Sequence, residues 1–455
     1  MTSSSQSKTD WAVVGGGFRG IVAAALLRRQ GFRVTLVERE THLGGLLYSS
    51  EWEGLHIDKG AHLFDNIDDR HTDLVFDIMD EDIVPVDVRY ASVMDSGKVD
   101  GVSIPDFCDM PASQQEKAVF DLIAAAGTEH QPPNTLKELF QQMFGDTLAD
   151  KLDGPTRKML RKAPEEISPE ALASTPFARL RFLPDAMTDV LKTSPLLDDR
   201  LAIPAGDDPM RPYRGAANRY EHRNFYPARH GMRGFCEHAE RYLADIGVEL
   251  RLGQPLTAVD PDGDGVRLTL DGGEAISAER ILWALPSVGL AMIRYGENPL
   301  KGWAQPVPML IYYYLTHEDN IGPYAYMHDF STDHLLFRPS AIGRFGGARR
   351  DDGMTYVCFE APTDLDSPEW AAPDALADRL WQEGSELDFV TGARPDVWKA
   401  VPVPVTYMVP KPGFNRQQDA MMARLDDDFG RSLCALDQHA FAKKDIHDAI
   451  DHILN

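Results

Sequence analysis

Apolar and polar residues are first ordered at Trp11 to Val14, four apolar residues that read as a strand and run straight into Gly15-Gly16-Gly17-Phe18-Arg19-Gly20. A small-residue run over 21–29, with Ala23, Ala24 and Ala25 on it, predicts a helix, and Gly31 stands where a left-handed cap would end it. A second strand over 33–37 terminates on Glu38. Further along, 73–80 has helical character and 99–104 reads as a short polar strand. Leu136, Leu139, Phe140 and Met143 recur at helical spacing, so 135–152 predicts a helix pair broken at Gly145. The stretch 195–227, rich in Pro, Gly, Arg and Tyr, lacks a period and reads as loop. A helix over 236–246 follows, then strands over 248–252 and 256–260. Asp-Gly turns bracket a hairpin strand at 266–270, and 281–285 is an apolar strand ending at Pro286. From 309 to 407 strands dominate (309–315, 324–327, 334–338, 354–360), with a helix at 374–381. There is no internal repeat or low-complexity segment.

The first of these patterns carries chemistry. Strand, helix and strand form a βαβ unit with G-x-G-x-x-G at Gly15, Gly17 and Gly20 and an acid, Glu38, about twenty residues on. Gly15 makes the tight turn, Gly17 admits a pyrophosphate to the backbone, and Gly20 lets the helix pack close to the sheet. The helix N-terminus offers free N–H groups to phosphates, and Glu38 can accept both hydroxyls of an adenosine ribose. This is a dinucleotide site.

Charge and composition narrow the partners. The 455 residues suffice for two or three domains, and 46 Lys+Arg against 71 Asp+Glu give a formal charge of −25. Nucleic acid and anionic membranes are poor partners for such a surface, and an anionic substrate would need a local basic pocket. Cys108, Cys236, Cys358 and Cys434 are scattered, which argues against a disulfide framework or a zinc site and fits a reducing compartment. Residues 1–10, polar and Ser-rich, are expected to be a disordered lead-in, with no signal peptide and no transmembrane-length run; a cytoplasmic protein is the expectation. No hydrolase, metalloenzyme or P-loop motif is present, and no metal is expected.

After Glu38 come Gly44-Gly45, and an apolar strand then ends in Gly60-Ala61-His62-Leu63-Phe64. This order resembles the FAD-dependent flavoprotein superfamily of amine oxidases and protoporphyrinogen oxidase. The G-A-H-x-F piece is most similar to the UDP-galactopyranose mutase branch. Tyr226-Pro227, Gly231-Met232 and the helix, strand and hairpin after them resemble the same superfamily. The resemblance implies an α/β fold: a discontinuous Rossmann-type, glutathione-reductase-like FAD-binding domain from 11–70, 221–290 and 405–455. A helical insert or cap (71–220) and a β-sheet substrate domain (291–404) complete it. It makes FAD the cofactor, with NAD(P)H a candidate reductant of the flavin. The implied cofactor-binding set is Gly15, Gly17, Phe18, Arg19, Gly20, Glu38, Arg39, Gly44, Gly45, Leu46, Gly60, Ala61, His62, Leu256, Asp445 and Ile446.

The same resemblance places His62 beside the flavin's reactive ring, matches Arg181 to a diphosphate-holding arginine of the mutases, and matches Arg338 to a cavity arginine. The plainer readings are a satisfied strand-end histidine and surface ion pairs. Tyr312, Tyr313, Tyr314 and Tyr407 are further cavity candidates, although alternation lets only some of them face one side. Two positions depart from the family pattern. Leu160 stands where the mutases carry a uracil-stacking tryptophan, beside a basic cluster of Arg157, Lys158, Arg161 and Lys162. Ala435-Leu436-Asp437 stands where a glycine-rich cofactor motif is expected. Three functions follow: an FAD-dependent oxidoreductase abstracting hydride from, or desaturating, a small polar metabolite containing a sugar or an amine; a sugar-nucleotide mutase without net redox; or a non-catalytic partner protein on the same fold. A small-molecule substrate is expected, and the oligomeric state is open, a homodimer being one option.

Overall fold

The computed structural model describes residues 9–66, 68–204, 220–436 and 445–454. Its first sheet has seven strands, in the order Glu249–Arg251, Val34–Val37, Thr9–Val14, Ala275–Trp283, Gly265–Leu270, Leu256–Asp262, with Leu433–Ala435 also against Ala275–Trp283. The central strands run parallel and the hairpin is antiparallel. The helix Phe18–Arg29 crosses between the first two strands and buries Ile21, Val22 and the three alanines. Gly31 takes φ +94° just beyond its end, where the helix has to stop for the next strand to begin.

A second seven-stranded sheet runs Trp398–Pro410, Ala304–His317, Met354–Pro362, Arg338–Ser340, Tyr326–Asp329, Tyr90–Met94, Gly97–Asp100. Along Ala304–His317 the tyrosines alternate as their spacing requires. Tyr312 and Tyr314 donate their hydroxyls to Pro373 O and Ala377 O under the helix Ala377–Glu386, and Tyr313 donates to Asp58 O on the opposite face. A separate apolar core forms the helical lobe around Phe140, Phe144, Phe177 and Phe330. There the expected helix pair is found as Leu136–Phe144 and Asp146–Lys151, capped by the Thr135 hydroxyl and broken at Gly145, whose φ is +80°. No helix among the described residues is long and apolar enough to cross a membrane.

The structure corrects several expectations. Thr9 and Asp10 belong to the first strand rather than to a disordered lead-in, because Thr9 pairs with Ala278 and Asp10 accepts the Arg33 amide at 2.8 Å. The expected loop 195–227 contains a helix, Pro195–Asp198, and a strand, Asn224–Pro227, that pairs with Ile83–Val86; its residues 205–219 lie outside the described set. The insert 71–220 is not wholly helical, since Tyr90–Met94 and Gly97–Asp100 are strands of the second sheet. Residues 405–410, expected in the cofactor domain, finish the second sheet's edge strand Trp398–Pro410. The strand expected at 334–338 begins only at Arg338, because His334 turns aside to Asp329 at 2.6 Å. The strand expected at 99–104 ends at Asp100, and the helix expected at 374–381 starts as a 3₁₀ turn, Pro373–Leu376.

Candidate functional site

The glycine-rich turn is built as its sequence requires. Gly15 has φ +102° and its amide donates to Val37 O at 2.9 Å. A side chain at Gly20 would run into the Gly15 carbonyl, so only glycine lets helix and turn approach this closely. Gly17 is the N-cap residue of the helix, and a Cβ there would meet no atom within 4 Å. The space in front of the helix N-terminus is therefore open, and the donor set facing it is backbone N–H, as a pyrophosphate requires. Gly44, with φ +110°, sits beside Gly17 in a parallel bridge, and its amide donates to Gly16 O at 2.8 Å. Gly45 also has positive φ, and the next residue, Leu46, is 75% exposed. Glu38, buried, accepts the amides of Gly16 and Glu40. Gly253 and Gln254 donate their amides to Glu40 O and Glu38 O, which brings Leu256, at the head of its strand, to the same end of the cradle. These residues fit a dinucleotide.

Other members of the expected cofactor set lie differently. The Phe18 ring packs on Phe64 and Phe235 in the core, so only its backbone is available to a phosphate. Arg19 follows it in the first turn of the helix. Arg39 is exposed and paired with Glu40. Asp445 opens the helix Asp445–Leu454, and Ile446 is buried in the core shared with Ile21 and Val22. Leu436 donates its amide to Trp283 O at 3.1 Å, whereas Asp437 lies outside the described residues.

The second half of the site lies where the Gly60-Ala61-His62 loop meets the second sheet. Gly60 takes φ +93°, and a Cβ on it would fall 3.0 Å from Glu360 Oε1 and 3.6 Å from Arg338 Nη2. His62, half-buried, has Nδ1 3.0 Å from Gly60 O. The loop is braced from below by Asp58, fully buried. Its carboxylate accepts the hydroxyls of Ser49 and Tyr226, both at 2.6 Å, and the Met232 amide at 3.1 Å, while Tyr356 OH accepts its own amide. Burial outweighs these donors and pushes the Asp58 carboxyl up to about 6.

Arg338 is brought to this loop, but its fork is engaged: Nε and Nη2 donate to Glu360 Oε2 and Oε1 at 3.0 and 2.7 Å. Tyr407, half-buried beside the pair, has its hydroxyl pushed above the usual phenol range by loss of solvent. Arg181 stands elsewhere, inside the helical lobe, where it pairs with Asp106 at 2.6 Å and Asp185 at 3.1 Å. Three of the four cations of the basic cluster are likewise paired. Lys158 is buried against Asp329 at 2.9 Å, Arg157 pairs with Asp153, and Arg161 pairs with Asp364. Sequence reasoning missed Glu360, Asp58 and His328, the last standing across the sheet from Arg338. The one signal for the first was a lone carboxylate in a largely apolar strand, Met354–Pro362.

A family model described as flavin-containing amine oxidoreductase matches residues 20–314. A Baeyer-Villiger monooxygenase of Streptomyces coelicolor is 45% identical over 60 residues, 13% of this chain and 10% of that protein, so the chain matches about a tenth of that relative's length. Among solved structures, a reduced UDP-galactopyranose mutase superposes with a TM-score of 0.69 at 15% identity, over 98% of this chain and 96% of the other. A protein described as a protoporphyrinogen oxidase, from Exiguobacterium sp. 255-15, gives 0.62 at 17% identity, over 98% and 100%. At these identities the structural likeness speaks to the fold.

Proposed function

The chain belongs to the flavin-containing amine oxidoreductases, and from that premise we propose that it oxidises a small polar metabolite containing a sugar or an amine, by hydride abstraction or desaturation. FAD is the cofactor the family implies, and when bound it supplies the two-electron acceptor. The glycine turn and the helix N-terminus would hold its pyrophosphate, Glu38 its ribose, and Gly44, Gly45 and the Gly60-Ala61-His62 loop the remainder. His62 would face the substrate with an imidazole able to accept or pass a proton. The Gly60 loop, fixed by Asp58, would hold His62 against the second sheet and limit water there.

The observation that carries the redox reading is the pairing of the cations. A sugar-nucleotide mutase must grip a diphosphate, and here Arg157, Lys158, Arg161 and Arg181 each already face a carboxylate. Arg338, nearest the loop, is neutralised by Glu360. A substrate without phosphate suits that charge balance, so the mutase is the second reading.

The test is the visible spectrum of protein loaded with FAD and made anaerobic, with amines, amino sugars and polyols added in turn, with and without NAD(P)H. Bleaching of the oxidised flavin band by a substrate supports the oxidase or dehydrogenase. Conversion of a UDP-sugar by pre-reduced protein, with no oxidant consumed, would overturn it in favour of the mutase.

A further inference from the structure

We propose that His328 and Arg338 form a neutral acceptor–donor pair that selects an uncharged hydroxyl- or amine-bearing group on the substrate. The location of that substrate rests on the oxidoreductase reading; the pair itself is argued from the sheet.

The antiparallel pairing of Tyr326 with Ser340, and the Asp329 amide bonded to Phe337 O at 2.7 Å, set His328 opposite Arg338. Arg338 in turn stands opposite Glu360. Three polar side chains therefore cross neighbouring strands in one row, on the face that carries the Gly60 loop. Glu360 takes Nε and Nη2 of the guanidinium, so the two N–H bonds of Nη1 lie outside the pair while the net charge is cancelled. Arg338 keeps 22% of its side-chain surface exposed, against 3% for Glu360, so the open part of the pair belongs to the guanidinium side chain.

His328, half-buried, is 2.7 Å from Ser103 O through Nδ1. A carbonyl can only accept, so Nδ1 carries the proton and Nε2 the lone pair. The ring stacks on Phe337 at 5.5 Å. The groups facing it are Arg338 on one neighbouring strand, Ser92 on the other with its hydroxyl turned to Ile104 O, and Tyr326 and Phe330 on its own segment. Burial and the nearby Arg338 charge push the imidazole down to about 4. A neutral hydroxyl or amine can both donate a hydrogen and accept one, and a row that offers the Nε2 lone pair and, from the residue opposite, the Nη1 N–H groups answers both. A carboxylate or phosphate would meet a lone pair and an already neutralised cation.

Diethyl pyrocarbonate, which acylates only unprotonated imidazole, is the probe, with site-resolved mass mapping of FAD-loaded protein. The expected result is acylation of His328 at a rate that is flat between about pH 5.5 and 8, whereas a free histidine peptide in the same tube slows about tenfold at the acid end. In the second arm, sulfate leaves His328 acylation unchanged in the wild type and slows it severalfold in Glu360→Gln, where the Arg338 charge is released. An unreactive His328, a tenfold acid slowing there, or sulfate protection of the wild type overturns the proposal; the wild-type arms decide even if the variant does not fold. Failure of the oxidoreductase reading is seen separately, as a flavin that no amine or polyol bleaches.

Discussion

Glu38 accepts the amide of Gly16 at 2.5 Å from one carboxylate oxygen and the amide of Glu40 at 2.9 Å from the other. The acid at the end of the second strand is thus tied to the glycine turn that follows the first. Its orientation is set by the protein before any ligand arrives, and the turn depends on it in return.

Glu38→Ala should therefore weaken FAD binding by about ten- to a hundredfold, the range expected when hydrogen bonds to a charged group are lost. Titration of FAD by fluorescence quenching measures this. Glu38→Gln, which keeps one acceptor oxygen, should fall between wild type and alanine. Unaltered FAD affinity in the alanine variant would remove Glu38 from the site.

Gly17 and Gly20 should separate binding from folding. A methyl at Gly17 enters open space, so Gly17→Ala should keep its thermal stability within about 1 kcal/mol and lose FAD affinity, since the methyl stands where phosphate must approach. Gly20→Ala drives the methyl into the Gly15 carbonyl and should destabilise the whole protein by about 1–3 kcal/mol. Calorimetry beside the flavin titration distinguishes the two. Equal melting temperatures for both variants would contradict this packing.

Asp58 should carry a pH signature opposite in sign to a paired carboxylate. Its folded-state value of about 6 lies above the unfolded one, so its contribution favours folding below about pH 4 and is lost as pH rises through 6. The loss amounts to about 3 kcal/mol by pH 7. Asp58→Asn cannot ionise. The unfolding free energy of wild type minus that of the variant should therefore fall between pH 4 and 7, as read by urea denaturation; a flat difference would mean that Asp58 titrates normally.

Lys158→Ala should cost about 3–5 kcal/mol, because Asp329 is left buried without its ammonium partner. FAD affinity should not change. Chemical denaturation and flavin titration of the same sample check both halves. A variant of native stability with weakened ligand binding would restore the basic cluster to the substrate site.

The sequence revealed local structure far better than it revealed how charges are used. The βαβ unit and the break at Gly145 depend on neighbours within a few residues, and both stand as expected. Arg181 and Lys158 were legible as cations but not as spent ones, because their buried partners Asp106 and Asp329 are 75 and 171 residues away; only Asp185, which also pairs with Arg181, lies nearby in sequence. His328 was invisible for a related reason. Its proton is fixed by Ser103, 225 residues distant, and its neighbour Arg338 arrives only through sheet register. The strand Asn224–Pro227 was hidden by its Pro- and Arg-rich surroundings, since its pairing with Ile83–Val86 gives it no periodicity of its own.

The first strand, Thr9–Val14, lies between Val34–Val37 and Ala275–Trp283. Its second neighbour is made roughly 270 residues later, about 15 to 50 s at ordinary elongation rates. The strand Leu433–Ala435 comes later still. The nascent βαβ unit thus waits with one edge bare until Ala275–Trp283 has been made. Chaperone demand while that edge is bare is a consequence of this strand order.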